Sequence, residues 1–358
     1  MALNKGEWSE IYTFLKLLAD GRLYAADADL NRIEDVYYPI IKILRNEPIG
    51  SLGFCVDTMI KVCDTTGNEL VSLPLQDFRD KSIYLLSEIQ NSTGRTFDVP
   101  DIVSFLESIN VVELKASSNS TKDITIMVHD FHTGMEPILG FSIKSYIGGD
   151  PTIVNASGST NFIYSIRGNT LSQDNINEIN NINSRSKIRD RISRLEEFGC
   201  NLEYESMQSD IFKSNLTMID SLFPKILSEM LKLYYAGEAN TVVNMVNILE
   251  ETNPCNYNLE LNPSLYKYKV KNYLTDSALG MKAARIWDGF YNATGGYIVV
   301  KEDGNIVCYH IYNRNEFQSY LFNNTRFETP SSGKHKFGKI YEENGSLFFK
   351  LNLQVRFI

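Results

Sequence analysis

No apolar run in this chain approaches the ~20 residues that a membrane-spanning helix needs. The opening residues Met1 to Glu7 carry neither the basic nor the apolar region of a secretion signal, so the expected compartment is the cytoplasm, with no membrane partner. Cysteine is sparse, odd in number and scattered (Cys55, Cys63, Cys200, Cys255, Cys308). That pattern excludes a familiar zinc spacing and suits reduced thiols in a reducing compartment. The four histidines, His129, His132, His310 and His335, form no metal-ligand spacing either. A basic excess is also missing. The formal net charge of −9 speaks against a protein that coats nucleic acid, though not against one that binds it locally. Neither an internal repeat nor a low-complexity tail is visible.

What is present is ordinary globular material, 22% charged and 43% hydrophobic over 358 residues. That length allows two domains at ~150 residues each. Gly6 to Ala19 reads as an amphipathic helix with Trp8, Ile11, Leu15 and Leu18 at helical spacing and Gly21 as its stop. Val36 to Asn46 reads as a second helix, and Lys81 to Gln90 and Asp101 to Ile109 as two more. Phe54 to Val56, Glu69 to Leu73, Val111 to Lys115 and Asn161 to Ile166 read as strands, and a helix is expected to begin near Thr152. Asp174 to Phe198 reads as polar and helical, and Ile211 to Tyr235 and Ala239 to Glu251 as long helices. Near the end, Asp303-Gly304-Asn305 and Glu343-Asn344-Gly345 mark two hairpins, Tyr297 to Val300 with Ile306 to Ile311, and Lys339 to Tyr341 with Leu347 to Leu351. A boundary near residue 200 is expected, giving domains 1–200 and 201–358.

The most chemically suggestive stretch lies in the middle. Lys122 to Asp130 and Ile138 to Ser145 read as two arms of one β-hairpin, joined by turn residues His132 to Pro137. Strand alternation sets Ser142 and Lys144 on one face and turns Phe141 and Ile143 to the core. Asp123 can then ligate a divalent metal, with the backbone carbonyl of Ile143 as a second hard oxygen suited to Mg²⁺. A lysine beside such a metal can orient or deprotonate the water that attacks a phosphodiester. These ligands are few, and the first helix offers Glu7 and Glu10. Glu10 shares a face with Phe14 and Leu17 and so can point inward beside the hairpin. Asp130 is the alternative to Asp123 in another strand register. The bland alternatives are a surface Asp–Lys pair and glutamates that merely favour the positive end of a helix.

Several segments together resemble the HpaII family of type II restriction endonucleases. They are Lys5 to Tyr12 with Leu23 to Asp27, Leu139 to Ser145, Pro151 to Ser157 with Thr160 to Phe162, and Lys336 to Tyr341 through Leu351 to Phe357. The resemblance implies an α/β (α+β) fold of the PD-(D/E)xK nuclease type, a mixed central sheet flanked by helices, with a helical and β-hairpin C-terminal region for DNA recognition or dimerisation. It implies Mg²⁺ as cofactor and cleavage of a short palindrome in double-stranded DNA, CCGG being the family's best-known target. It further implies pairing with a cytosine DNA methyltransferase. By position, Asp123 and Lys144 take the Asp and Lys of the motif, while Ser142 stands where an acidic residue is usual, and Thr121-Lys122 replaces the usual Pro. A palindromic target suggests a homodimer. Candidate DNA contacts are Lys334, His335 and Lys336, the cluster Arg185, Lys187 and Arg189, and Asn155 with Ser157 at the amino end of the helix expected near Thr152. The rival readings are a structure-specific repair or recombination nuclease of the same fold, and a non-catalytic DNA-binding protein.

Overall fold

In the computed structural model, residues 2–115, 122–131 and 133–358 are described. Thr121 and His132 therefore lie outside the described residues. The first helix, Lys5–Asp20, starts on a capping box, in which the Asn4 side chain accepts from the Glu7 N–H at 3.0 Å and Glu7 accepts from the Asn4 N–H at 2.8 Å. It ends at Gly21, whose φ of 63° is the left-handed conformation glycine adopts without strain. Its buried side carries Trp8, Ile11, Tyr12, Phe14, Leu15 and Leu18, the periodicity that the sequence displays.

By its contacts the chain divides into two compact units, Met1–Pro151 with Tyr291–Tyr320, and Thr152–Phe290 with Leu321–Ile358. The boundary expected near residue 200 instead falls within a sheet, because Cys200–Met207 pairs with Asn161–Gly168. The first unit holds a nine-stranded mixed sheet. Its order is Arg22–Ala26, Ile306–His310, Gly296–Val300, Ile138–Ser145, Ile124–Val128, Arg32–Glu47, and then the antiparallel run Gly50–Val56, Met59–Cys63 and Glu69–Pro74. Arg32–Glu47 also pairs back onto Arg22–Ala26, so the first six strands close on themselves. The hairpin of the sequence reading is present, with Ile124–Val128 antiparallel to Ile138–Ser145. On its other side Ile138–Ser145 runs parallel to Gly296–Val300. A parallel pair needs a long connection, and here the second unit supplies most of it.

Three expectations are corrected. Val36 to Asn46 is not a helix but lies inside the strand Arg32–Glu47. Val36, Ile40, Ile41 and Ile43 are β-branched and suit a pleated, half-buried surface. Pro39 sits where the strand changes partners, with the Ile40 N–H bonded to Gly21 O and the Pro39 carbonyl to the His129 N–H. A ladder donor is dispensable at such an irregularity. Val111 to Lys115 is not a strand, because the Val112 and Glu113 amides both donate to Glu47 Oε2 at 2.9 Å. Thr152 does not open a helix. Thr152–Val154 is a short strand on Val355–Phe357, and Ser157 caps the single turn Gly158–Thr160.

The second unit contains the antiparallel sheet Cys200–Met207, Asn161–Gly168, Ser346–Asn352, Ile340–Glu343, and a smaller one of Thr152–Val154, Val355–Phe357 and Thr325–Phe327. The pattern from Ile211 to Tyr235 is two helices, Asp210–Ile219 and Phe223–Ala236, separated where Asp220 turns the chain and its Oδ1 accepts the Leu222 N–H.

Gly296 opens the strand beside the hairpin with φ 104°, and a Cβ there would lie 2.0 Å from the Tyr309 carbonyl oxygen. Neither the dihedral nor the ladder can yield cheaply. Gly296→Ala should lower unfolding stability by at least ~2 kcal/mol in urea titration. An unchanged midpoint would contradict this packing.

Candidate active site

The ladder between the two hairpin strands ends at the pair Ile124–Phe141, with the Asp123 N–H donating to the Phe141 carbonyl at 2.8 Å. One residue past this end, the Asp123 carboxylate turns back onto the longer strand. Its Oδ2 accepts the Ile143 N–H at 2.7 Å and the Ser142 hydroxyl at 3.1 Å. Phe141 and Ile143 join the core cluster of this unit, as alternation requires. In a strand, the N–H and C=O of one residue leave toward the same neighbour. The Ile143 carbonyl therefore faces the side on which Asp123 sits.

Lys144 is half-buried, and its Nζ lies 5.4 Å from the centroid of the Tyr297 ring on the adjoining parallel strand. Tyr297 is fully buried, and burial together with Asp123 pushes its phenol well above the usual range. The ring is thus a neutral platform under a cation.

Glu10 reaches this place from the first helix, which packs on Ile138–Ser145. Its carboxyl is pushed up to about 8, mainly by burial, then by the negative charge of Asp123 and of Glu7; Lys144 and Arg45 pull it down. Glu7 has other work, in the capping box and in an ion pair with Lys115 at 3.0 Å. Asp130 is placed elsewhere. It is buried in the turn beyond the far end of the hairpin, accepting from Thr133 Oγ1 at 2.7 Å, and it only partly offsets the burial that pushes the His310 imidazole down to about 4. His129 pairs with Glu136 at 3.8 Å, and His310 Nδ1 accepts the Tyr312 N–H at 3.1 Å. Among the described residues no group of three Asp, Glu, His or Cys gathers as a metal cage.

Two residues that sequence reasoning missed bear on this cluster. Tyr297 belongs to a strand distant in sequence, and only its membership in an apolar strand was visible. Arg45 sits within electrostatic reach of Glu10 and is itself held by Glu47 at 3.0 Å and by the Glu113 carbonyl at 2.5 Å. No local pattern marks such a residue in a segment that reads as a helix.

The candidate DNA contacts all lie in the second unit, and two sequence-distant basic segments converge there. One cleft of 890 Å³ is lined by Arg185, Lys187, Arg189 and Ser331 to Gly333. A second, of 660 Å³, shares Lys187, Ser332 and Gly333 and adds Lys336. Lys334 is exposed on the same short helix, Ser332–His335, whereas the His335 carbonyl is taken by the Asn161 side chain at 2.9 Å. Asn155 and Ser157 line neither cleft. The Ser157 carbonyl and hydroxyl are engaged by Asn352, Thr160 and the Ser159 N–H.

Two carboxylates, Glu10 on the first helix and Asp123 at the end of the hairpin ladder, with Lys144 within electrostatic reach of Glu10, are groups that metal-assisted hydrolysis can use. A family model described as HpaII restriction endonuclease matches residues 4–357. The chain is also 45% identical, over 99% of its own length and 98% of the other's, to the type II restriction enzyme HpaII of Haemophilus parainfluenzae. No solved structure matches. The chain belongs to the HpaII restriction endonuclease family and is accordingly a type II site-specific endonuclease, which sets aside the non-catalytic reading.

Glu10 yields a test. Its folded pKa lies above the unfolded value of 4.5, so between pH 4.5 and about 8 the folded chain holds a proton that the unfolded chain has lost. Its contribution to stability therefore falls as pH rises through that window. Without added metal, Glu10→Gln should melt higher than the parent chain at pH 8, and the gap should close below pH 5. Coincident melting curves at both pH values would show that Glu10 is not desolvated.

Proposed function

We propose that the chain is a Mg²⁺-dependent nuclease of the PD-(D/E)xK type that cuts double-stranded DNA at a short palindrome, CCGG, acting as a homodimer beside a cytosine DNA methyltransferase. The observation that carries this reading is the meeting of Asp123, Lys144 and Glu10 at the open end of one strand ladder. Glu10 supplies, from the helix, the carboxylate that the motif usually has at the position of Ser142.

The donor set suits a hard divalent cation. Asp123 and Glu10 are two carboxylates in one partly desolvated place, and the Ile143 carbonyl faces the same side. Mg²⁺ is commonly held by one or two carboxylates, with waters completing its shell. Bound there, it would neutralise charge on the phosphoryl transition state and lower the pKa of water. The residues of the chain do the rest. Asp123 is oriented by two donors, the Ile143 N–H and the Ser142 hydroxyl. Lys144, on the same strand face as Ser142 and seated over Tyr297, is positioned to hold or take a proton of the attacking water. The buried Ser142 hydroxyl serves as an orienting group and not as a ligand.

The roles of the two units follow the same reading. The first unit carries hydrolysis, and the second, with its basic clefts, carries DNA recognition. The palindrome, the homodimer and the methyltransferase rest on the 45% identity to HpaII and on what the family resemblance implies.

The experiment is plasmid cleavage with sequencing of the fragment ends. Discrete fragments with CCGG at their ends, lost on EDTA treatment and restored by Mg²⁺, are expected. Lys144→Ala should slow single-turnover cleavage ~10³-fold, while Ser142→Ala, which leaves the Ile143 N–H on Asp123, should slow it far less. Wild-type cutting by Lys144→Ala would remove that lysine from the chemistry. Discrete fragments without CCGG would overturn the target and leave the reaction standing.

A further inference from the structure

The 660 Å³ cleft of the second unit has a lining that the overall charge of the chain does not foreshadow. Lys187, Arg191, Lys336, Lys339 and Lys350 line it with three asparagines, and no carboxylate is among its described lining residues, in a chain of net charge −9. Lys339 and Lys350 were not among the contacts expected from sequence.

One of these lysines occupies a costly conformation. Lys336 follows the short helix Ser332–His335 with φ 54° and ψ 56°, the left-handed position at which helices usually place glycine. A side chain with a Cβ is disfavoured there, and residues so held concentrate at functional sites. The Lys336 side chain is nonetheless exposed at the cleft, so its own burial does not repay the strain.

The segment that carries Lys336 and Lys339 is fixed from below by buried polar groups. Asn161, fully buried, donates to the His335 carbonyl at 2.9 Å and to Gln208 Oε1 at 3.0 Å, and accepts from Asn352 Nδ2 at 2.7 Å. Arg191, 3% exposed, donates to the carbonyls of Gly338, Asn180 and Ile182. Asn180 pairs with both backbone groups of Ile340, at 2.8 and 2.9 Å. Apart from Arg191 Nε, which is buried without a partner, these side chains are bonded to the backbone or to one another, and a buried network of this kind favours one arrangement of the backbone above it. Lys350 lies over the Tyr341 ring at 4.9 Å and donates to Gln208 at 3.1 Å, so its ammonium is also oriented.

The geometry points to this cleft as a built site for the phosphate backbone of duplex DNA, with Lys336 and Lys339 as sequence-independent phosphate contacts on a loop held in place by Asn161 and Arg191. This rests on the reading of the second unit as the DNA-binding part and adds the chemistry it recognises and the residues that do so. Phosphate contacts by lysine act as point charges, fix orientation and carry no sequence information.

The test uses the full-length chain without metal, and two 20-bp duplexes, one containing CCGG and one lacking it, with affinity measured by fluorescence anisotropy across a salt series. Lys336→Gly relieves the strained backbone while removing the charge. It should therefore melt at the same or a higher temperature and yet bind both duplexes more weakly, with the salt slope reduced by ~0.9. Lys339→Ala, at an exposed position, should weaken both duplexes alike and flatten the slope by a similar amount, whereas Lys336→Arg should bind as the parent does. Parent-like affinity and slope in both Lys336→Gly and Lys339→Ala would overturn the inference. So would a loss confined to the CCGG duplex, which would mark base reading in place of phosphate contact. Plasmid cleavage by the parent chain is scored separately, so absence of Mg²⁺-dependent cutting would count against the nuclease reading and leave the cleft to be judged by duplex affinity alone.

Discussion

The proposed hydrolytic cluster depends on one strand, Ile138–Ser145, whose ladder changes sides at Phe141, from an antiparallel neighbour before it to a parallel neighbour after it. Antiparallel pairing with Ile124–Val128 stops at Phe141, while parallel pairing with Gly296–Val300 continues from Phe141 to Ser145. The last residues of the strand are therefore held rigid by one neighbour and present an open edge where the other has ended. Asp123 fills that edge with a carboxylate that takes the Ile143 amide. A buried amide left without an acceptor would cost ~1–3 kcal/mol. The contact thus satisfies the fold and, in the same stroke, fixes the carboxylate beside Lys144.

Electrostatics around this edge are finely opposed. Burying Glu10 next to Asp123 disfavours its charge, and Lys144 and Arg45 offset part of the effect. Arg45 is not free to drift, since Glu47 and the Glu113 carbonyl hold it, and Glu47 in turn serves the amides of Val112 and Glu113. A segment without secondary structure of its own is thereby coupled to the charge balance near Glu10. Proteins tolerate such unfavourable burial of like charges chiefly at functional sites.

The central hairpin was legible because its signal is local: apolar alternation in two runs with turn residues between them. The inward face of the first helix, and with it the approach of Glu10, was legible for the same reason. Arg32–Glu47 was misread because apolar spacing in a strand that bends and changes partners at Pro39 mimics helical spacing. Its β-branched residues were the better guide. The two-unit division was not legible, because it follows from Gly296–Val300 returning to pair with a strand some 150 residues earlier, and no local pattern encodes a nonlocal parallel ladder. Lys336 was legible as a basic residue in a loop, but its left-handed backbone was not.

A nuclease that holds a divalent cation with carboxylates faces a conflict, since the negative groups that bind the cation repel the polyanion that must approach it. On the proposed reading this chain distributes the two demands. Asp123 and Glu10 lie in the first unit, whereas Lys187, Lys336, Lys339 and Lys350 line a cleft in the second with no carboxylate among its described lining residues. At physiological ionic strength, charges separated by more than ~8 Å are largely screened. Local composition therefore governs DNA contact far more than the sum over the chain. A net charge of −9 is then no obstacle to the proposed contact between DNA and such a cleft.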